Sequence, residues 1–343
     1  MNVVMIVPTG LGFEIGGYAG DANAASKLMA ECSDILIIHP NVVNASDINE
    51  MTPNTWYVEG NMLDRFLWGH INLYKPKSNK ILVAVNKPAA KETINAVQAA
   101  RVTLGADINI IELNEPLIMT GWITDKGATG SVIGYESLIK QVKNYDFDAL
   151  AITTSINVEH EHIDNYLHNN TANPYGAVEA ICSRLISQKL DKPVAHSPFG
   201  DIGEYCLLNN YNEITDPRIS PEMVSITYLH SVLKGLHKAP RVALGRSRRV
   251  LSVYDIDLLI SPVNCWGDPH DRCVRWSIPI IFVEQNTNKI DCPKYNENYY
   301  PKSIKVSNYI EAAGMIMLIK AGLTIESVTR PISKTQIMPQ IIS

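Results

Sequence analysis

The chain has 343 residues, 46% hydrophobic and 19% charged, with a formal net charge of −5 and no long acidic or basic block. That length can bury a large core in one or two lobes, and the charge balance argues against a surface built to neutralise nucleic-acid phosphates. No run approaches the roughly 18 consecutive apolar residues of a membrane span, so neither nucleic acid nor membrane is an expected partner.

MNVVMIVPTG at the start is apolar but has no basic leader and no small-residue cleavage site, so it reads as a first strand and the expected location is cytoplasmic. The glycine-rich GLGFEIGGYAGDA follows, then a helix over ANAASKLMAEC and the strand DILIIH. WYVEG leads into the helical NMLDRFLWGHI. ILVAV is followed by a helix punctuated by Pro88 and Gly105, and then by the strand INIIEL.

TDKGATGSVIG is rich in small residues and reads as a lobe boundary or a loop over a cleft, which suggests lobes 1–125 and 126–343. Farther on, YESLIKQVKNY leads into DALAITT, and GAVEAICSRLISQKL into KPVAHS; a helix is expected near PEMVSITYLHSVLKGL. DIDLLIS and IPIIFVEQ are strands joined by a short polar crossover, and SNYIEAAGMIMLIKAG is a closing helix. Strands apolar on both faces and separated by helices give the fold class: α/β, mainly parallel and Rossmann-like, helices on both faces, with two pseudo-similar lobes.

One pattern is written twice. IIHPNVVNA ends in a Pro and Asn cluster and is followed by VEGN; LLISPVNC ends likewise and is followed by VEQN. Ligand-facing side chains of open α/β sheets lie beyond the carboxyl ends of strands. The pattern therefore nominates His39, Asn41, Asn44, Glu59 and Asn61, and in its second copy Asn264, Cys265, Glu284 and Asn286. The bland alternative is that Asn and Pro merely stop strands.

Glu59 and Glu284 are the candidate general acid and base, with the Asn residues as hydrogen-bond donors to substrate or a developing oxyanion. His196, after a strand in AHSPFG, suits proton transfer near neutral pH or a structural role. Cys265 is a candidate nucleophile or an inert buried thiol. Gly16, Gly17 and Asp21 lie in a strand-to-helix turn that either contacts an anion or polar ligand or only reverses the chain, with Asp21 as the helix N-cap. That turn fits neither GxGxxG nor a P-loop. Arg218, Lys238, Arg241 and Arg330 stand beside prolines that can hold a cation toward an anion; the basic GRSRR, Gly245 to Arg249, is a solvated loop or an anion contact.

His160 and His162 would share one face if their HxH lay on a strand, but their surroundings read as a polar loop. Glu179 sits near a helix start, where the helix dipole favours a carboxylate. The cysteines Cys32, Cys182, Cys206, Cys265, Cys273 and Cys292 have no zinc-type spacing and are expected as free thiols. No cofactor and no metal is required by these motifs.

The words GFEIGGYAGDANAASKLM, HPNVVNAS and YVEGNMLDRF, continued by GYESLIKQV, YGAVEAICSRLI, PVAHSP, VLKGLHKAPR, FVEQNTN and YIEAAGMIMLIKAG, resemble the family named domain of unknown function 3326. The resemblance covers nearly the whole chain and implies one continuous α/β unit over 1–343, with no established reaction, substrate or catalytic residue. The chain departs from that family at NCWGDPHDRC, Asn264 to Cys273, where a small glycine-rich turn is expected. This brings Trp266, Asp268, His270 and Asp271 toward the cleft, either for a specialised substrate or as a drifted loop.

The leading expectation is an enzyme acting on a small polar metabolite, carboxylate-bearing or amino-acid-like, by lyase, isomerase or hydrolase chemistry in an inter-lobe cleft. The alternatives are a non-catalytic small-molecule-binding protein, or a nucleotide- or sugar-phosphate-dependent transferase using the glycine-rich turn with Arg246 or Arg248. A homodimer is the default oligomer.

Overall fold

A computed structural model describes residues 1–18, 20–43, 51–169, 171–199, 217–220, 228–243, 250–290 and 300–337. In chain order its first part runs β1 (Asn2–Met5), α1 (Asn23–Cys32), β2 (Ile35–Ile38), β3 (Thr55–Tyr57), α2 (Gly60–Leu67) and β4 (Asn72–Tyr74). The middle runs β5 (Ile81–Val85), α3 (Lys91–Leu104), β6 (Ile108–Glu112), β7 (Ile118–Thr124), β8 (Gly127–Ile133), α4 (Tyr135–Val142), β9 (Ala149–Thr154), β10 (Ile156–Val158), α5 (His160–His168), α6 (Pro174–Leu190) and β11 (Val194–Pro198). The last part runs α7 (Tyr228–His237), β12 (Arg241–Ala243), β13 (Leu258–Pro262), α8 (Asp268–Trp276), β14 (Ile280–Val283), β15 (Ser303–Val306), α9 (Tyr309–Lys320) and α10 (Ile325–Val328).

Six parallel strands form the larger sheet in the order β15-β14-β13-β1-β2-β3. Successive residues of a strand face opposite sides, and here both sides are covered. Val3, Met5 and Val7 face a core shared with Met29 of α1 and Ile316 of α9, while Val4 and Ile6 face one shared with Phe66 of α2 and Cys273 of α8. That double burial explains why these strands read as continuous apolar runs.

A second parallel sheet has the order β11-β9-β5-β6. Leu82, Leu150 and Ile152 face α4 and α6; Val83, Ala151 and Ala195 face α3 and α7. The larger sheet draws strands from both ends of the chain and the smaller one from the middle, so the sheets partition the chain differently from a cut at residue 125.

Three local expectations need correction. TDKGATGSVIG is the turn and second strand of a β-hairpin, β7–β8, which reverses at Asp125 and Lys126 with Gly127 at φ 129° opening β8. The polar crossover after β13 is the helix α8, as a parallel connection commonly requires, with Pro269 in its first turn. His160 and His162 lie on α5, where residues two apart point in different directions. The hairpin also ties the sheets together: Ala128 N donates to Gly10 O at 2.8 Å, and a Cβ on Gly127 would stand 2.7 Å from that same oxygen.

Candidate functional site

In the larger sheet β1 leads the chain toward β2 and β3, while β13 leads it the other way to β14 and β15. Ligands of doubly wound sheets bind outside the carboxyl ends at such a reversal. A cleft of about 680 Å³ opens there, between that edge and α6 with the β11 edge of the smaller sheet. Its walls are Pro8 and Thr9 after β1, His39 to Asn41 after β2, Tyr57 to Asp64 around the start of α2, and Cys265 to His270 entering α8. The opposite side presents Asn173, Tyr175, Glu179, Ser183 and Arg184 of α6 and its cap, with His196 behind them.

Glu59 is the N-cap of α2: its carboxylate accepts from Asn61 N at 2.9 Å and Met62 N at 3.2 Å. It is only 5% exposed, and burial raises its pKa against the pull of those amides. Glu179 does not sit in the first turn of α6, so the helix dipole does not account for it. It lies 2.9 Å from His196 Nδ1, while Nε2 of that imidazole meets the Thr154 hydroxyl at 3.0 Å. With the carboxylate accepting from Nδ1, Thr154 is the donor to Nε2. The imidazole side chain is fully buried and the Glu179 side chain is 25% exposed, so the carboxylate is the end of this chain that meets the cleft.

Tyr57 lines the same cleft; burial pushes its phenol up, and the charges of Glu179 and Glu59 push in the same direction. Asp64 is raised to about 6, first by burial, with Arg184 opposing at 3.2 Å and Asp268 adding to it. Asn61 lines the cleft and is 5% exposed, yet its side-chain Nδ2 has no hydrogen-bond partner among the described residues. A buried donor left open is costly and is commonly satisfied by a ligand or ordered water.

His39 and Asn41 line the cleft but also shape it. His39 Nε2 accepts from Val7 N at 3.1 Å, and burial lowers its pKa to about 4, so the ring is neutral. Asn41 donates to Val7 O and Pro8 O. Cys265 reaches the cleft as a thiol donating to Pro262 O at 3.2 Å, beside the Ser261 hydroxyl. His270 accepts from Gly267 N at Nδ1, which leaves Nε2 to donate to Ser261 at 2.9 Å. Trp266 stacks on His270 with centroids 5.0 Å apart, and its indole donates to Asp271.

The other nominated residues stand outside the cleft lining. Glu284 is exposed on the surface after β14. Asn286 is wholly buried, pairing with Ile15 N and O and the Tyr309 hydroxyl, so it pins the glycine-rich turn. Asn264 is exposed at φ 56°, a turn conformation that Asn tolerates. Gly16 and Gly17 serve chain reversal: a Cβ on Gly17 would lie 2.0 Å from Phe13 N. Asp21 is not the cap of α1, which is Ala22; its carboxylate takes Gly16 N at 2.9 Å and is raised to about 6, chiefly by burial. Arg330 is exposed and bonds the adjacent Thr329 carbonyl. Arg218 pairs with Glu14 and Arg241 with Asp148. Asn44, Cys206, Cys292, Arg246, Arg248 and the GRSRR stretch lie outside the described residues. Cys32, Cys182, Cys265 and Cys273 are free thiols.

Tyr57, Asp64, Thr154 and Arg184 escaped the sequence reading. Asp64 and Arg184 each stand five residues after a cleft glutamate, Glu59 and Glu179, about 1.4 helical turns on, a spacing that by itself does not put them on the same face. Thr154 carries no comparable signal.

Fold and site together define an α/β protein built on a six-stranded and a four-stranded parallel sheet, with a polar cleft at the switch point of the larger one. The chain belongs to the family described as protein of unknown function DUF3326, which it matches over residues 2–329. It is similar to an uncharacterized lipoprotein of Synechococcus sp. (strain ATCC 27144 / PCC 6301 / SAUG 1402/1), 31% identical over 339 residues that cover 94% of this chain and 92% of that relative. No solved structure matches the chain. Among the described residues no helix is long and apolar enough to cross a membrane.

Proposed function

We propose that the protein is an enzyme acting on a small polar, amino-acid-like metabolite by acid/base chemistry of the lyase, isomerase or hydrolase type. The observation that carries this reading is that Glu59 and Glu179 line one cleft in different environments, the first capping a helix and the second facing His196. Two acids in unlike surroundings are suited to opposite proton-transfer roles. Glu59, buried and raised, is the general acid; Glu179, facing the cleft and backed by His196, is the base. Asn61 supplies its open N–H to a substrate oxygen. The other lining carboxylates, Asp64, Glu179 and Asp268, favour a substrate that also carries an amine.

The same reading places the protein in the cytoplasm, with free thiols as support, acting on a small molecule and as a homodimer. The test is a thermal-shift screen of a metabolite panel, followed by turnover of the stabilising compound by the wild type and by Glu59→Gln. Retained ligand affinity with turnover reduced at least a hundredfold supports the role. Equal turnover by both proteins removes Glu59 from the chemistry, and a stabilising ligand that is never converted favours the binding-protein alternative.

A further inference from the structure

The smaller sheet has its own reversal. From β5 the chain passes through α3 to β6 on one side, and from β9 through α5 and α6 to β11 on the other. Between the carboxyl ends of β5 and β9, at Val85 and Thr154, lies a second cavity of about 310 Å³. This is again where open α/β sheets receive ligands.

The lining of this cavity differs in kind from the acidic main cleft. Its one charged side chain is Lys87, and the rest of its polar lining is Asn86, Thr93, Thr153, Thr154, Ser155 and Asn157. Thr93 and Thr153 are 4% and 5% exposed, and neither hydroxyl has a hydrogen-bond partner among the described residues. Thr93 belongs to α3, which starts at Ala90 with no side-chain cap, and Ala90 lines the same cavity. First-turn amides without a cap favour negative charge through both their N–H groups and the helix dipole.

We propose that this crevice binds a small oxyanion, inorganic phosphate or the phosphoryl group of a metabolite. Lys87 and the first turn of α3 supply the positive field, and the hydroxyls of Thr93 and Thr153 donate to the anion oxygens. Thr154 lines this crevice while its hydroxyl meets His196, which in turn holds Glu179 in the main cleft. An anion here therefore bears on the main cleft through three consecutive side chains. The site stands on its own residues and does not depend on the reaction proposed for the larger cleft.

The experiment uses the full chain and inorganic phosphate, titrated calorimetrically at constant ionic strength, with the ¹⁵N resonances of the His196 imidazole followed by NMR. Saturable binding that also moves the His196 signals is expected. Lys87→Met should weaken it about tenfold, a loss of roughly 1.4 kcal/mol, and Thr93→Val and Thr153→Val should each weaken it severalfold. Lys87 is exposed, so its variant tests the site even if a threonine variant fails to fold. Absence of saturable binding at millimolar phosphate overturns the proposal, and so does binding that Lys87→Met leaves unchanged.

Discussion

The Glu179 carboxylate on α6 lies 2.9 Å from Nδ1 of His196 on β11, joining a cleft-facing acid to a fully buried imidazole. The opposite ring nitrogen is occupied by Thr154, so a proton exchanged with a ligand passes through Glu179 rather than directly through the histidine. Replacing Glu179 by Gln keeps the shape and removes the base. Turnover of the cognate metabolite should fall about 10²–10⁴-fold with its dissociation constant little changed. A proportional loss in affinity instead would make Glu179 a binding group.

The buried side-chain Nδ2 of Asn61 has no partner among the described residues, a feature that costs stability in the empty protein. Asn61→Leu should leave the unfolding free energy unchanged or raise it by about 1 kcal/mol, while weakening the ligand found by screening. Urea unfolding and a binding titration on the same samples check both halves. A variant that binds as tightly as the wild type removes Asn61 from recognition.

His39 gives a pH signature. Its folded-state pKa is lowered to about 4 from 6.5 by burial, and its Nε2 accepts from Val7 N. A depressed group contributes stability that is present above the unfolded pKa and lost as pH falls. The wild type should therefore lose stability relative to His39→Gln between about pH 6.5 and pH 4, by up to roughly 3 kcal/mol. Parallel curves for the two proteins across that range would show that the ring is not buried neutral.

Asn286 was nominated as a substrate contact but holds Ile15 and Tyr309 instead. Asn286→Ala strands those buried groups and should destabilise the fold by about 2–4 kcal/mol, read by urea unfolding. Ligand affinity of the still-folded fraction should stay close to that of the wild type. Near-normal stability with lost affinity would return Asn286 to the site.

Much of the architecture was legible because double burial leaves a mark in the chain. ILVAV and DALAITT read as strands since both their faces are covered, and the amphipathic segments between them had to be helices. The hairpin β7–β8 was not legible, because Gly127 and Gly130 are dictated by close approach to Gly10 and Val178 across the fold rather than by a local pattern.

The doubled Pro-Asn and Val-Glu-x-Asn pattern shows where local reading stops. The sequence by itself determined that Glu59 and Glu284 each follow a buried strand, since strand ends and their polar residues are written locally. Only the tertiary structure decided that they differ. The helix after β3, α2, packs against α6, so Glu59 caps a helix inside the cleft, whereas β14 ends on the other side of the switch point and leaves Glu284 in solvent. The pairing of Glu179 with His196 likewise depends on α6 packing against β11. Spacing along a chain fixes which way a side chain points within its element, but which elements meet is set by packing between residues far apart in sequence.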